Sequence, residues 1–159
     1  MYATGLRIGD ATRLPITAVD SQAMVLKVIG KGNKERLIPI NQPLLWLLRE
    51  TWKIHRSDRY LFARPDGRAI SESSFGHAIK EARERCGLGK EFTSHVLRHS
   101  FATRLMEQGV PVETIQMLLG HASIRSTRIY LHLTKPIQDD IRKKLDQLFC
   151  DCVKKGGQQ

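Results

Sequence analysis

The sequence predicts an α+β fold that is mainly helical and has a small antiparallel β-sheet near its N-terminal side. Apolar residues recur at helical spacing through most of the chain after residue 40. Two runs rich in Val, Ile and Leu, residues 24–29 and 36–40, flank a glycine-containing turn, which is typical of a β-hairpin. The 159 residues are most simply one domain, with 41% apolar residues to form its core.

The N-terminal half is predicted to place helices on either side of the hairpin. Residues 6–14 form a short helix that Pro15 stops. Asn41 is expected to cap a helix through about residue 53, whose apolar side chains recur at Leu44, Leu45, Leu47, Leu48 and Trp52. Residues 60–63 are predicted as a short strand, and a turn follows at residues 65–67.

The C-terminal half is predicted to be helical throughout. Ser71 begins a helix that Gly87 ends, and a second helix runs from about residue 94 to Gly109 with Leu97, Phe101 and Leu105 in the core. A third helix lies between Pro111 and Gly120, and a fourth, capped by Ser123, carries Tyr130. Residues 136–149 form a final amphipathic helix with one apolar face, made of Ile137, Ile141, Leu145 and Leu148.

Charge is the most informative bulk property. Lys and Arg number 26 against 16 Asp and Glu, which gives a net charge of +10. An excess of this size favours a polyanionic partner, although it is also compatible with solubility alone. Since there is neither a secretion signal nor an apolar run long enough to span a bilayer, we expect a cytoplasmic protein. The three cysteines, Cys86, Cys150 and Cys152, are expected to stay reduced.

His95 and Arg98 are three residues apart on a predicted helix, so they emerge on neighbouring sides of one turn. The guanidinium of Arg98 can hold two phosphate oxygens at once, and the imidazole of His95 titrates near neutrality. A surface pair with no catalytic role would show the same spacing. His95 and His99 have a spacing that suits zinc, but the residues between them lack the glutamate of a zincin. We therefore expect no metal.

His121 follows a predicted helix end, and Tyr130 lies nine residues later. A tyrosine can attack phosphorus if a neighbouring group accepts its proton and the phosphate is electrostatically activated. By itself, Tyr130 could equally be a core or interface aromatic with a hydrogen-bonded hydroxyl.

The ordered set of motifs resembles the tyrosine recombinase family, that is, the catalytic domain of phage integrases and Xer-type recombinases. The resemblance covers about residues 2–135 and lies in five blocks: residues 2–7 (YATGLR), 30–36 (GKGNKER), 95–103 (HVLRHSFAT), 118–121 (LLGH) and 129–132 (IYLH). It implies that family's catalytic-domain fold and a site-specific DNA recombinase of the bacterial cytosol or nucleoid. The chemistry would need no cofactor.

The resemblance also implies the roles of the principal residues. Tyr130 attacks the scissile phosphate, forms a 3′-phosphotyrosyl link and releases a 5′-hydroxyl. Arg7 and Arg98 hold the non-bridging oxygens and stabilise the charge that develops in the transition state. His95 helps to accept the tyrosine proton.

Further roles follow from the same resemblance. Lys31 protonates the leaving oxygen, His121 hydrogen-bonds the phosphate, and Asp10 supports the site by orienting Arg7. Both Lys31 and Lys34 lie in the turn. The first lysine of Gly-Lys-Gly matches the family, so Lys31 is the expected acid and Lys34 a phosphate-contacting neighbour.

The remaining expected DNA contacts are basic residues of the hairpin and of the helix over residues 71–86: Arg36, His77, Lys80 and Arg83. For the helix over residues 71–86, an equally weighted alternative is that its basic residues, interleaved with Glu81 and Glu84, form a face that only contacts solvent. The expected units are a catalytic domain over residues 1–135, an amphipathic helix over 136–150 and a flexible tail over 151–159. The amphipathic helix either docks onto a neighbouring protomer, as in a tetramer on DNA, or packs onto its own domain.

The sequence is compatible with two other functions. A type IB topoisomerase would share the chemistry without exchanging strands, and a DNA-binding remnant would retain the motifs without the activity. The catalytic domain of relatives usually begins well before the first arginine and follows an N-terminal DNA-binding domain. We therefore expect the chain to be N-terminally truncated.

We expect this chain to bind duplex DNA weakly and with a steep dependence on salt, because only one side of the clamp would be present. Fluorescence anisotropy of a labelled duplex between 50 and 200 mM salt, values chosen from the range where counterion release is usually measured, would test this. Nanomolar, sequence-specific binding at physiological salt would contradict it.

Overall fold

A computed structural model describes residues 1–30, 35–120 and 135–156. The described helices and strands, in chain order, are α1 (Ile8–Thr12), β1 (Val19–Asp20), β2 (Val25–Ile29), β3 (Glu35–Pro39), α2 (Gln42–His55), α3 (Glu72–Arg85), α4 (Ser94–Glu107), α5 (Val112–Leu119) and α6 (Lys135–Gly156). The predicted fold class, mainly helical with a small antiparallel sheet near the N-terminal side, is confirmed. No helix in the described ranges is long and apolar enough to cross a membrane.

The sheet is built on the predicted hairpin. Strands β2 and β3 pair antiparallel from Val25 opposite Pro39 to Ile29 opposite Glu35, and β1 pairs with the other edge of β2. Side chains alternate between buried and exposed along β2, so that Val28 is buried while Lys27 and Ile29 face solvent. The turn of the hairpin, with Lys31 and Lys34, lies outside the described residues.

Helix ends follow the predicted capping residues. The side chain of Asn41 accepts a hydrogen bond from the backbone N–H of Leu44 at 3.1 Å, and Ser71 accepts one from Ser74 at 3.0 Å. Gly120 ends α5 in the left-handed conformation, with φ +67°. These three local signals set where α2 and α3 begin and where α5 ends.

Two predicted boundaries were wrong. Residues 60–63 form no regular strand; they make single bridges, Pro15 with Tyr60 and Ala63 with Ala69, because their neighbours are irregular segments. Helix α6 continues to Gly156, so the tail predicted from residue 151 begins inside the helix. The sequence has no Gly or Pro between Pro136 and Gly156 to end the helix earlier. The predicted helix around Tyr130 lies outside the described residues.

The buried apolar side chains form two clusters. The N-terminal cluster joins α1, the sheet and α2, through residues such as Leu14, Ile38 and Leu45. The C-terminal cluster joins α4 and α5 to α6 and is made of Phe101, Leu105, Val110, Ile115, Leu118, Leu119, Ile141 and Leu145. Of the predicted apolar face of α6, Ile141 and Leu145 are buried on their own chain, whereas Ile137 is 42% exposed. The side chain of Leu148 lies outside the described residues.

Gly5 lies where the N-terminal segment meets the C-terminal cluster. Its φ is +62°, and a Cβ added there would lie 2.6 Å from Cδ1 of Phe101 and 2.7 Å from Cδ2 of Leu119. Only glycine suits this position, because any side chain would clash and the left-handed backbone disfavours other residues. The close approach holds Arg7, two residues later, near α4 and α5.

We expect Gly5→Ala to lower the free energy of unfolding by about 2–5 kcal/mol, the sum of the left-handed backbone penalty and overpacking. Gly67→Ala is the matched control, because Gly67 also has a positive φ, +78°, but a Cβ there meets nothing within 4 Å. The control should lose only about 1–2 kcal/mol. Urea unfolding followed by circular dichroism measures both, and equal losses would contradict the close contact.

Candidate active site

Three arginine side chains converge on the C-terminal end of α5. Their N–H groups donate to three consecutive main-chain carbonyls: Arg36 Nε to Leu118 at 3.1 Å, Arg98 Nη2 to Leu119 at 2.6 Å and Arg7 Nη2 to Gly120 at 3.2 Å. The last carbonyls of a helix lack partners within the helix and carry its partial negative charge, so they attract cations. The end of α5 thus gathers side chains from three distant parts of the sequence.

Arg98 is fixed by two carbonyls. Besides its bond to Leu119, its Nη1 donates to the carbonyl of Gly5. A guanidinium has five N–H groups, so most of its donors remain for another ligand. Arg98 is therefore oriented before any ligand arrives, and part of its guanidinium still faces an adjacent cleft.

An open cleft of about 340 Å³ lies beside the arginines. The charged and titratable side chains that line it are those of Arg7, Asp10, Glu72, His95 and Arg98. His95 is exposed on α4, one helical turn before Arg98, so the predicted pair does share one side of the helix. Arg7 is exposed at the beginning of α1.

The electrostatics of the cleft favour an anion. The pKa of Arg98 is lowered to about 10, mainly by burial and also by the positive charges of Arg7 and Arg36, while the negative charge of Asp10 acts in the opposite direction. Arg98 therefore stays protonated at neutral pH, in a surrounding where its charge is partly uncompensated. A phosphate between Arg7 and Arg98 would relieve this repulsion.

Asp10 and Arg36 form an ion pair that was not predicted. Asp10 was predicted to orient Arg7, and its carboxylate pairs with Arg36 at 2.7 Å, so that any effect on Arg7 is indirect. Arg36 was predicted to contact DNA, yet its side chain is only 3% exposed. Arg36 alternates in phase with Ile38 along β3, and that phase places it on the buried face. The strand pattern of the sequence contained this signal.

Glu72 was not predicted as part of the site. It is the first residue of α3, it lines the same cleft, and its carboxylate lies 3.7 Å from the guanidinium of Arg13. Glu72 reaches the cleft because α3 packs against α1, and a sequence pattern within either helix cannot reveal that contact. Glu72 adds a negative charge to a cleft that otherwise favours anions.

The three residues of α3 that were predicted to contact DNA differ in their exposure and in their contacts within the chain. His77 and Lys80 are exposed, and Lys80 lies 3.9 Å from Glu84. Arg83 is instead engaged within the chain, because its guanidinium donates to the carbonyl of Lys90 at 3.1 Å. Thus His77 and Lys80 remain available to a partner, whereas Arg83 holds the segment after α3.

Four of the predicted site residues, Lys31, Lys34, His121 and Tyr130, lie outside the described residues. The structure therefore brings together Arg7, Arg98, His95 and Asp10 from the predicted set. In the part of the chain that is described, no group of three His, Cys, Asp or Glu side chains could hold a metal ion.

Comparisons with known proteins agree on one family. Residues 1–136 match the model of the phage integrase family. The chain is 43% identical over 136 residues to the putative integrase/recombinase y4qK of Sinorhizobium fredii, covering 83% of this chain and 44% of that protein. It is 35% identical over 148 residues to the tyrosine recombinase XerD of Halalkalibacterium halodurans, covering 89% and 50%.

The fold is also similar to a solved structure, the XerH site-specific recombinase bound to its difH substrate in a pre-cleavage complex. The TM-score is 0.67 at 30% sequence identity, over 83% of this chain and 40% of that one. The chain spans about half the length of the curated relatives it matches.

We expect Arg98→Lys to lower the free energy of unfolding by about 1–3 kcal/mol, because an ammonium group cannot reach both carbonyls and leaves one unsatisfied. The control is Arg49→Lys, at an exposed position of α2, which should change stability by less than about 0.5 kcal/mol. Urea unfolding measures both variants. Equal stability of the two would show that the double contact of Arg98 contributes nothing to folding.

Proposed function

The chain belongs to the phage integrase family of tyrosine recombinases, and from this premise we propose that it is the catalytic domain of a site-specific DNA recombinase. The observation that carries the proposal is the cleft in which main-chain carbonyls fix Arg7 and Arg98 beside His95. Two guanidinium groups held at one place suit the two non-bridging oxygens of a phosphodiester.

The proposed reaction is a reversible transfer of phosphorus from DNA to a tyrosine. The hydroxyl oxygen of Tyr130 attacks the scissile phosphorus, the bond from phosphorus to the 5′-oxygen breaks, and a 3′-phosphotyrosyl link forms. His95 helps to accept the tyrosine proton, and Lys31 donates a proton to the leaving 5′-oxygen. His121 donates a hydrogen bond to the phosphate. Attack by the 5′-hydroxyl of another strand then releases Tyr130, so no ATP is required.

Arg7 and Arg98 stabilise the charge that spreads over the phosphate oxygens as the reaction proceeds. Their positions are set by carbonyls of α5 and of Gly5 before the substrate binds, so little reorganisation is required at the moment of reaction. Removing one such preorganised donor typically lowers a rate by about 10²–10³-fold.

Duplex DNA is the proposed partner, in agreement with the difH complex of the XerH relative and with the net charge of +10. His77, Lys80 and Lys34 are the proposed additional contacts. DNA as substrate implies the bacterial cytosol or nucleoid as the place of action.

Self-association as a tetramer on DNA through α6 is also proposed. Because Ile141 and Leu145 of α6 are buried in their own chain, that face could hold a second protomer only after leaving its present site. The exposed Ile137, near the beginning of the helix, is available without such a change.

Among the relatives compared, all are integrases or recombinases, so the topoisomerase alternative gains no support from them. An inactive DNA-binding remnant differs from the proposed enzyme only in activity. A cleavage experiment separates the two.

We expect the chain to form a covalent adduct with a suicide duplex that is nicked beside the cleavage point, because loss of the short 5′-hydroxyl fragment prevents religation. The cognate sequence can first be selected from a randomised duplex pool by its capture on the protein. Denaturing gel electrophoresis then detects the adduct. Labelling the released fragment by polynucleotide kinase shows whether it carries a 5′-hydroxyl.

Tyr130→Phe should abolish this adduct, and Tyr60→Phe, a substitution outside the cleft, should leave it unchanged. The absence of adduct from the wild-type chain on a selected site would favour the remnant. Relaxation of supercoiled DNA that lacks the selected site would favour the topoisomerase.

A further inference from the structure

Arg36 is the most deeply buried charged side chain of the arginine cluster, and it contacts neither the cleft nor solvent. Its three neighbours come from two other parts of the chain. The carboxylate of Asp10 on α1 lies 2.7 Å from Nη2, and the carbonyl of Leu118 on α5 accepts from Nε at 3.1 Å. A Cβ on Gly120 would lie 3.0 Å from Nη1. The strand β3 is thereby tied to both α1 and the end of α5.

The contacts of Arg36 with α1 and with the end of α5 affect the positions of the two arginines that face the cleft, Arg7 and Arg98. Asp10 lies on α1, whose N-terminal cap is Arg7, so holding Asp10 fixes the helix from which Arg7 projects. Leu118 is followed by Leu119 and Gly120, and those two carbonyls accept from Arg98 and Arg7. Arg36 therefore holds both the element that presents Arg7 and the acceptors that orient the pair.

The close fit at Gly120 strengthens the same connection. Its left-handed conformation turns the chain at the end of α5, and the side chain of Arg36 fills the space where a Cβ would be. A smaller or shorter side chain at position 36 would leave that turn without support on one side. The carbonyl of Gly120 would then be freer to move, together with the guanidinium of Arg7 bound to it.

We propose that Arg36 is a positioning residue for the reaction: it acts through Asp10 and the carbonyl of Leu118 to hold Arg7 and Arg98 in register for one phosphate. This inference rests on the proposed function, since it assigns a reason for the geometry of that site. Arg36 touches no DNA, so its loss reduces the rate of cleavage and leaves the affinity for DNA nearly unchanged. Fine misplacement of catalytic groups affects rate far more than binding.

The contribution of Arg36 to stability can be separated from its contribution to positioning, because Arg36 forms a buried ion pair with Asp10. Removing one member of a buried ion pair leaves the other charge unpaired, which is strongly destabilising, whereas replacing both members avoids that penalty and can be nearly neutral where the new residues pack well. Asp10→Asn and Arg36→Gln are therefore expected to destabilise the chain singly. The double variant should recover a large part of the stability that the single variants lose, because no unpaired buried charge remains, while the register set by the guanidinium is still lost.

The experiment compares the 159-residue chain with both single variants and the double variant. Thermal unfolding reports stability, anisotropy reports DNA affinity, and the single-turnover rate on the nicked suicide duplex reports cleavage. For the double variant we expect cleavage slower by roughly 10- to 100-fold at saturating DNA, with affinity within about twofold. Recovery of cleavage in parallel with stability would overturn the proposal, because Arg36 would then be only structural.

The matched control neutralises an exposed ion pair of the same kind. Lys53 and Glu50 lie 2.6 Å apart on the surface of α2. The double variant Glu50→Gln/Lys53→Gln also removes one negative and one positive charge. It should leave the stability, the DNA affinity and the cleavage rate unchanged. A comparable rate loss in this control would show that charge removal anywhere slows cleavage.

A measurement without DNA keeps the inference testable if the wild-type chain forms no adduct, an outcome that counts against the proposed function. Arginine side-chain NMR follows the Nη protons of Arg98, which two carbonyls restrain in the wild type. In the double variant these protons should exchange with solvent at least severalfold faster. Unchanged exchange at matched stability would overturn the role of Arg36 whatever the activity of the chain.

Discussion

The end of helix α5 is the point on which the rest of the site depends. Three consecutive carbonyls there accept from Arg36, Arg98 and Arg7, which are 82, 21 and 113 residues away in sequence from their acceptors. Three like charges so close together repel one another, and the partial negative charge of the helix end offsets part of that repulsion. Asp10 offsets a further part by its ion pair with Arg36. Without the helix end, the fold would have no common acceptor for these side chains.

The two hydrophobic clusters meet at this place. The N-terminal cluster holds the sheet and α1, which bring Arg36 and Asp10, while the C-terminal cluster holds α4 and α5, which bring Arg98 and the carbonyls. Gly5 permits the close approach between them, because a side chain there would meet the ring of Phe101. Packing of apolar side chains thus determines the geometry of the polar ones.

The remaining imbalance of charge is what makes the cleft suitable for a phosphate. The carboxylate of Asp10 is engaged by the buried Arg36, so Arg7 and Arg98 retain much of their positive potential. Glu72 lies at the same cleft but is 3.7 Å from Arg13. An anion that enters the cleft would neutralise the positive charge that remains on Arg7 and Arg98 in the folded chain. Binding of an anion in the cleft and the stability of the site would therefore be linked through the same few charges.

The sequence by itself determined the described helices apart from the C-terminal end of α6, the strand pairing of the hairpin, the caps at Asn41, Ser71 and Gly120, and the family. It also selected Arg7, His95 and Arg98, which the tertiary structure places at one cleft. These features depend on patterns a few residues long, or on motifs whose order is preserved along the chain. Tertiary structure alone decided that Asp10 pairs with Arg36 and that Glu72 lines the cleft. Such partners lie on elements whose approach is set by packing across the whole domain, and no local pattern specifies which side chains will meet there.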